Sequence, residues 1–171
     1  ILVPEIVAME LEHETSKKNG EYQFIQDLTA AGKISLMVLD GREYEVFESL
    51  VVGKSSLDDG EAATIATAAC RDCLPIIDER KGRRLVKERI PNKSPGWSLD
   101  LFRHQRVIAE LGETLSVEAL YFALHDGRMR IHEDHCDHVV SLIGTQLALN
   151  CNCLPGYKMR CQQWKELIPS A

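Results

Sequence analysis

Leu57-Asp58-Asp59-Gly60-Glu61-Ala62-Ala63-Thr64-Ile65-Ala66-Thr67-Ala68-Ala69, followed by Leu74-Pro75-Ile76-Ile77-Asp78, is the stretch on which the fold turns. Small side chains behind an acidic first turn predict a helix that packs closely on a sheet. The short apolar run after it reads as a buried parallel strand. It ends in a carboxylate at the C-terminal edge, where open α/β sheets place their ligands. Arg80 to Arg89 then reads as a basic helix. Upstream, Pro4 suits the first turn of a helix that runs to about Glu14. Ser16 to Gly20 is a turn, Gln23 to Ala31 a short helix, and Ile34 to Leu39 a strand closed by Asp40-Gly41. Helix, strand, helix, strand, helix in that order predicts α/β architecture around a parallel sheet.

After Pro91 the texture changes. Asn92 to Gly96 reads as a linker, so residues 1–96 form one domain and residues 97–171 a mainly helical C-terminal extension. Ser98 is expected to cap a helix from Leu99 to Leu111, and Ser116 another reaching His125, stopped at Gly127. Asp137 to Leu149 reads as a third helix, interrupted at Gly144, and the chain from Cys151 as irregular.

The chain has 171 residues, 44% hydrophobic and 27% charged, a balance suited to a globular domain. A net charge of −6 argues against coating nucleic acid over the whole surface but leaves room for a local basic patch. Apolar runs fall far short of the roughly 20 residues that span a bilayer, and no basic-then-apolar leader is evident. A cytoplasmic protein with no membrane association is expected. Ile1-Leu2-Val3-Pro4 reads like the middle of a domain, which implies a segment ahead of it. The six cysteines are expected to be reduced thiols or metal ligands rather than disulfides.

Three acids stand out by position: Glu10 on a helix, Glu61 opening a helix, and Asp78 closing a strand. Carboxylates converging at a sheet edge bind hard divalent cations such as Mg²⁺ or Mn²⁺. Such an ion ionises a water and stabilises the leaving oxygen of a phosphodiester. Any one acid is more often a solvated charge, so the segments around them carry the weight. Pro4-Glu5-Ile6-Val7-Ala8-Met9-Glu10-Leu11, the stretch from Leu57 to Ala68, and Ile76-Ile77-Asp78-Glu79-Arg80-Lys81-Gly82-Arg83-Arg84-Leu85 share a likeness. In order and spacing they resemble segments of PIN-domain proteins of the toxin-like prokaryotic branch, over about residues 1–90.

That resemblance implies a PIN-like three-layer fold with a central parallel sheet and metal-dependent endonucleolytic cleavage of RNA. It implies that Glu10, Glu61 and Asp78 are the catalytic acids and metal ligands. Glu79 is a second candidate metal ligand, because the alignment at that strand end can be placed one residue along. Asp59 is then either an acid supporting the site from outside or a helix cap. The resemblance also implies a first acid on a strand ahead of Ile1, and a Gly-Thr-rich turn after the basic helix. Here that turn reads Ile90-Pro91-Asn92-Lys93-Ser94-Pro95-Gly96-Trp97 instead.

Arg80, Lys81, Arg83, Arg84, Lys87 and Arg89 crowd cations beside the acids, against Glu88 alone. Arg80, Lys81, Arg83 and Arg84 are the residues expected to hold an RNA backbone without reading bases. The plainer reading is a solvated helix face paired to Glu79 or Glu88, with Arg84 turned in toward Asp78. His132-Glu133-Asp134-His135-Cys136-Asp137-His138, with Cys151, Cys153 and Cys161, offers zinc ligands, although the run is not H-E-x-x-H. Cys70-x-x-Cys73 is half of a zinc knuckle, or a pair of buried thiols.

The function these readings favour is a Mg²⁺- or Mn²⁺-dependent endoribonuclease, a toxin or defence effector acting on RNA, if the strand with the first acid is present in the full protein. The apolar helices of the extension would serve an antitoxin, another protein partner or a homodimer. The alternatives are a non-catalytic PIN-like module that binds RNA or protein, and a zinc-binding adaptor.

Overall fold

The computed structural model describes residues 1–52 and 56–167. Two compact units divide the chain, Ile1–Gly96 and Trp97–Ala171; residues 168–171 of the expected helical extension lie outside the described residues. The first unit runs β1 (Leu2–Pro4), α1 (Glu5–Met9), a 3₁₀ turn (Glu10–Glu12), α2 (Glu14–Lys18), α3 (Glu21–Ala30), β2 (Ser35–Met37), α4 (Gly41–Val51), α5 (Asp59–Cys70) and α6 (Arg80–Arg89).

Helix α5 is the axis of this unit, in contact with α1, α4, α6 and β1. Ala62, Ala63, Ile65 and Ala66 are completely buried along it, and Ala68 nearly so. Small side chains let the neighbouring backbones approach closely, and Phe47, Leu50, Ile77, Leu85 and Val86 fill the space around them. At the far end of α5, Lys93 Nζ donates to the carbonyls of Ala68, Arg71 and Cys73 at 3.3, 3.1 and 3.0 Å. It thereby satisfies carbonyls that the end of a helix leaves without partners.

The expected three-layer fold with a central parallel sheet is not what this unit forms. Helix covers 65% of the described residues and strand 5%, so helix packing, not a sheet, builds the core. The sheet has two strands, β1 and β2, parallel with Val3 opposite Leu36. The run Leu74–Asp78 makes a single parallel bridge, Ile76 to Gly96. Ile77 N–H donates to Gly96 O and Gly96 N–H to Pro75 O, at 3.0 and 2.9 Å. Pro75 has no N–H to extend a ladder, and the chain enters α6 at Arg80, so the pairing stops. Burial of Ile77 against the helices supplies what the apolar run encodes.

Helix α4 was not anticipated. Its signature is Asp40-x-x-Glu43: Glu43 N–H donates to Asp40 Oδ1 and Asp40 N–H to Glu43 Oε2, both at 2.9 Å, a reciprocal capping box. Glu43 is fully buried and is also gripped by Arg71, from Nε at 2.5 Å and Nη2 at 3.0 Å. This pair ties the start of α4 to the end of α5.

The second unit holds α7 (Ser98–Phe102), α8 (Gln105–His125), a 3₁₀ turn (Glu133–His135), α9 (Cys136–Ile143), α10 (Thr145–Ala148) and α11 (Tyr157–Glu166). The expected helix from Leu99 to Leu111 is divided, because α7 ends at Phe102 and α8 begins at Gln105. Gly112, with φ of +79°, breaks the path of α8, a conformation glycine adopts without penalty. Ser116 is not a cap: it is buried within α8 and its hydroxyl donates to Phe102 O. The chain after Cys151 is not wholly irregular either. Helix α11 is anchored by one buried residue, Trp164, and by Tyr157, whose hydroxyl donates to Leu149 O at 2.6 Å. Leu120, Leu124, Cys136, Val139 and Cys151 form the centre of this unit's core. No helix among the described residues is long and apolar enough to cross a membrane.

Candidate active site

Asp58 starts the site. Its carboxylate accepts from Glu61 N–H at 2.8 Å and caps α5, which sets Glu61 one turn into the helix. Asp59, weighed above as a cap, is instead the first helical residue. Glu10 arrives from the 3₁₀ turn after α1, and Asp78 and Glu79 from the segment that leads into α6. Glu10, Asp58, Glu61, Asp78 and Glu79 line one cleft of about 250 Å³, floored by Gly60, Ile76 and Ile77. All four sequence-expected acids therefore line the same cleft, with Asp58 beside them.

Two glycines make room for the carboxylates. A β-carbon on Gly60 would collide with Glu10 Oε1, and one on Gly82 would stand 2.6 Å from Glu61 Oε1 and 2.9 Å from Ile77 Cγ2. Gly82→Ala sets a gain in helix propensity of about 1 kcal/mol against an overpacked contact costing about 1–3 kcal/mol. A net loss of stability and displacement of Glu61 are expected. A lower urea midpoint with an unchanged slope would record it; an equal or higher midpoint would contradict the packing.

Burial and neighbouring acids raise two of these carboxyls, Glu61 and Glu10. Burial pushes the Glu61 carboxyl up to about 7, helped by the charges of Asp58 and Glu79 and opposed by Lys81. Glu61 Oε1 is buried with no hydrogen-bond partner among the described residues. Glu10 is raised as well, by burial and then by Asp58, against the favourable Gly60 N–H and His13. Asp58 is thus a source of repulsion common to both.

The four expected RNA-binding cations divide into different roles. Arg83 turns inward and donates to Ile77 O, Gly96 O and Pro95 O at 2.6, 2.8 and 2.8 Å, clamping the bridge beneath the acids. Arg84 does not turn toward Asp78; it is exposed and lies 3.6 Å from Glu88 along α6. Lys81 reaches Ser56 O beside the cleft, and Arg80 is exposed at the first position of α6.

In the second unit, His132 and His135 pack on Trp97, with ring centroids 5.4 and 5.0 Å away. The thiols of Cys136, Cys151 and Cys153 point to the carbonyls of Pro155, Leu147 and Leu124. All six cysteines are free.

Compared with protein families, curated proteins and solved structures, the chain matches none of them.

The acids of the cleft are carboxylates, the donor class that hard divalent cations take, and Glu61 Oε1 has no hydrogen-bond partner among the described residues. It is also open. Among the described residues no three His, Cys, Asp or Glu side chains stand close enough together to hold an ion by themselves. One or two carboxylates, with water and substrate oxygens completing the shell, is the usual arrangement for Mg²⁺.

Proposed function

We propose that this cleft cleaves RNA, as the site of a Mg²⁺- or Mn²⁺-dependent endoribonuclease. The observation that carries the reading is the meeting of Glu10, Glu61, Asp78 and Glu79 in one cleft, with Glu61 held near neutral pKa and partly unbonded. Glu10 and Glu61 would hold the ion, with Asp78 or Glu79 completing the acid set of the cleft. The ion would supply an ionised water and charge stabilisation for the leaving oxygen. The carboxylates of the cleft would repel a phosphate unless their charge were offset, as a bound cation would do. Lys81 and the exposed Arg80 and Arg84 lie on α6, the helix that follows Asp78 and Glu79, and would hold the RNA backbone from that helix. Arg83 serves differently, positioning Asp78 through the carbonyl of Ile77.

The segments that bear these acids are the ones that resemble PIN-type ribonucleases, and they support this reading independently of the three-layer fold. Such an activity belongs with RNA in the cytoplasm. One observation favours a second reading, a module that binds RNA without cutting it: the acids are not closed into a metal-holding group.

Cleavage of labelled single-stranded RNA by the chain separates the two. Hydrolysis that requires Mg²⁺ or Mn²⁺, and is slowed about 100-fold or more in Asp78→Asn, is the expected result. Equal cleavage by both proteins would exclude this site. RNA binding without cleavage by either would leave the module.

A further inference from the structure

Next to the acid cleft lies a second, larger one of about 660 Å³, and the two share Glu10 and Asp58. Its lining is of a different kind. Met9 and Tyr44 are 61% and 50% exposed, with Phe47, nearly buried, behind the tyrosine at a centroid distance of 5.6 Å. His13 adds a third ring. No lysine or arginine lines it among the described residues, while Glu10, Asp58 and Asp59 give it an acidic rim.

A phosphate has no place in such a cleft. A flat, uncharged group does, if it presents an apolar face to the rings and hydrogen-bond donors to the carboxylates. We propose that this cleft seats the unpaired nucleobase that flanks the scissile phosphate. Tyr44 is its stacking platform, and the base is one that carries an exocyclic amino group. The inference rests on the reading of the acid cleft as an RNA-cleaving site. The volume is within the about 300–1,000 Å³ of small-ligand sites, ample for a base with its ribose. Stacking on an aromatic ring tolerates any base, because every base has a π-face. Selection therefore comes from the rim, where a carboxylate accepts from an amino group, as it does from cytosine N4. Uracil has no exocyclic amino group and presents one N–H between two carbonyl oxygens, so it meets the rim less well. Tyr44 is half-exposed on α4 and does not line the acid cleft, so replacing it leaves Glu61, Asp78 and Glu79 untouched.

Two readouts test this on the wild-type chain, Tyr44→Phe and Tyr44→Ala. In the first, a single-stranded RNA carrying 2-aminopurine is titrated without divalent metal, so that no cleavage is needed. The wild type and Tyr44→Phe should quench the fluorescence, and Tyr44→Ala should bind about tenfold more weakly. In the second, product ends are mapped on an RNA of mixed sequence with Mn²⁺. Wild-type cuts should lie beside adenine, cytosine or guanine more often than uracil, and Tyr44→Ala should raise KM with little change in kcat. Tyr44-dependent quenching without any cleavage would keep the base site and remove the nuclease reading. Quenching and cut positions unchanged in Tyr44→Ala would overturn the inference. So would an Arg- and Lys-rich peptide binding through Tyr44 where RNA does not, since the occupant would then be a protein.

Discussion

Glu61→Gln is expected to stop RNA cleavage and, at pH 8, to make the folded protein more stable. Glutamine keeps the shape that fits against Gly82 but brings no charge. Loss of a metal-holding carboxylate should lower cleavage about 100-fold or more. The effect on stability follows from linkage. The folded carboxyl sits at about 7 against an ordinary 4.5, so the native state holds this proton more tightly than the unfolded chain does. The stability it contributes is complete below pH 4.5 and is lost as pH rises toward 7. Glutamine cannot ionise and loses nothing. After allowance for solvent screening the difference is about 1 kcal/mol, roughly 4 °C in Tm, above pH 7. Near pH 4 the two proteins should melt together. Thermal melts at pH 4, 6 and 8 measure this; a variant less stable than wild type at pH 8 would mean the carboxylate is better solvated than its surroundings suggest.

Glu43→Ala is expected to produce the largest loss of stability among the acids, with the opposite pH signature. Glu43 is fully buried, accepts from both Arg71 nitrogens and closes the capping box with Asp40. The hydrogen-bonded Arg71 guanidinium holds its carboxyl below the usual value in spite of burial. Its contribution is therefore present above pH 4.5 and lost as pH falls. Alanine removes the pair and half of the cap and leaves a hole. Breaking a buried pair costs about 3–5 kcal/mol, and since Arg71 reaches solvent the loss should be smaller, about 2–3 kcal/mol. That corresponds to roughly 5–10 °C in Tm at pH 7, narrowing at pH 3. An unchanged Tm at pH 7 would mean that α4 is held by its apolar face alone.

These two glutamates show what local sequence discloses. Glu61 was legible because an acidic first turn before an alanine-rich helix has a spacing and a purpose. Glu43 was not, although Asp40-x-x-Glu43 carries the same capping logic as Asp58-x-x-Glu61. Reading Asp40-Gly41 as a turn obscured helix α4 behind it. The same spacing identifies Asp58, not Asp59, as the cap. Gly82, Leu85 and Val86 are the buried face of α6, and a helical wheel on them puts Arg84 opposite and Arg83 at the rim. Their periodicity therefore held the information that a count of cations did not.

The sheet was over-read for a different reason. Leu74–Asp78 is apolar because Ile77 is buried, and burial against helices satisfies that as fully as a strand ladder would. Pairing partners lie far apart in sequence, Ile76 with Gly96 and Val3 with Leu36, and no local signal selects them. In the second unit, α11 escaped notice because a mostly polar helix held by Trp164 has little periodicity to read.

Mn²⁺ binding followed by electron paramagnetic resonance tests the central claim, that the acid cleft takes a divalent cation, with no dependence on cleavage or on the choice of RNA. The free-ion signal should fall as the chain is added, to about one bound ion per chain, and Mg²⁺ should compete. The Glu10→Gln/Glu61→Gln double variant should leave the free-ion signal intact. Undiminished binding in that variant would place the ion elsewhere, and no binding by the wild type, with or without single-stranded RNA present, would contradict the metal-dependent site outright.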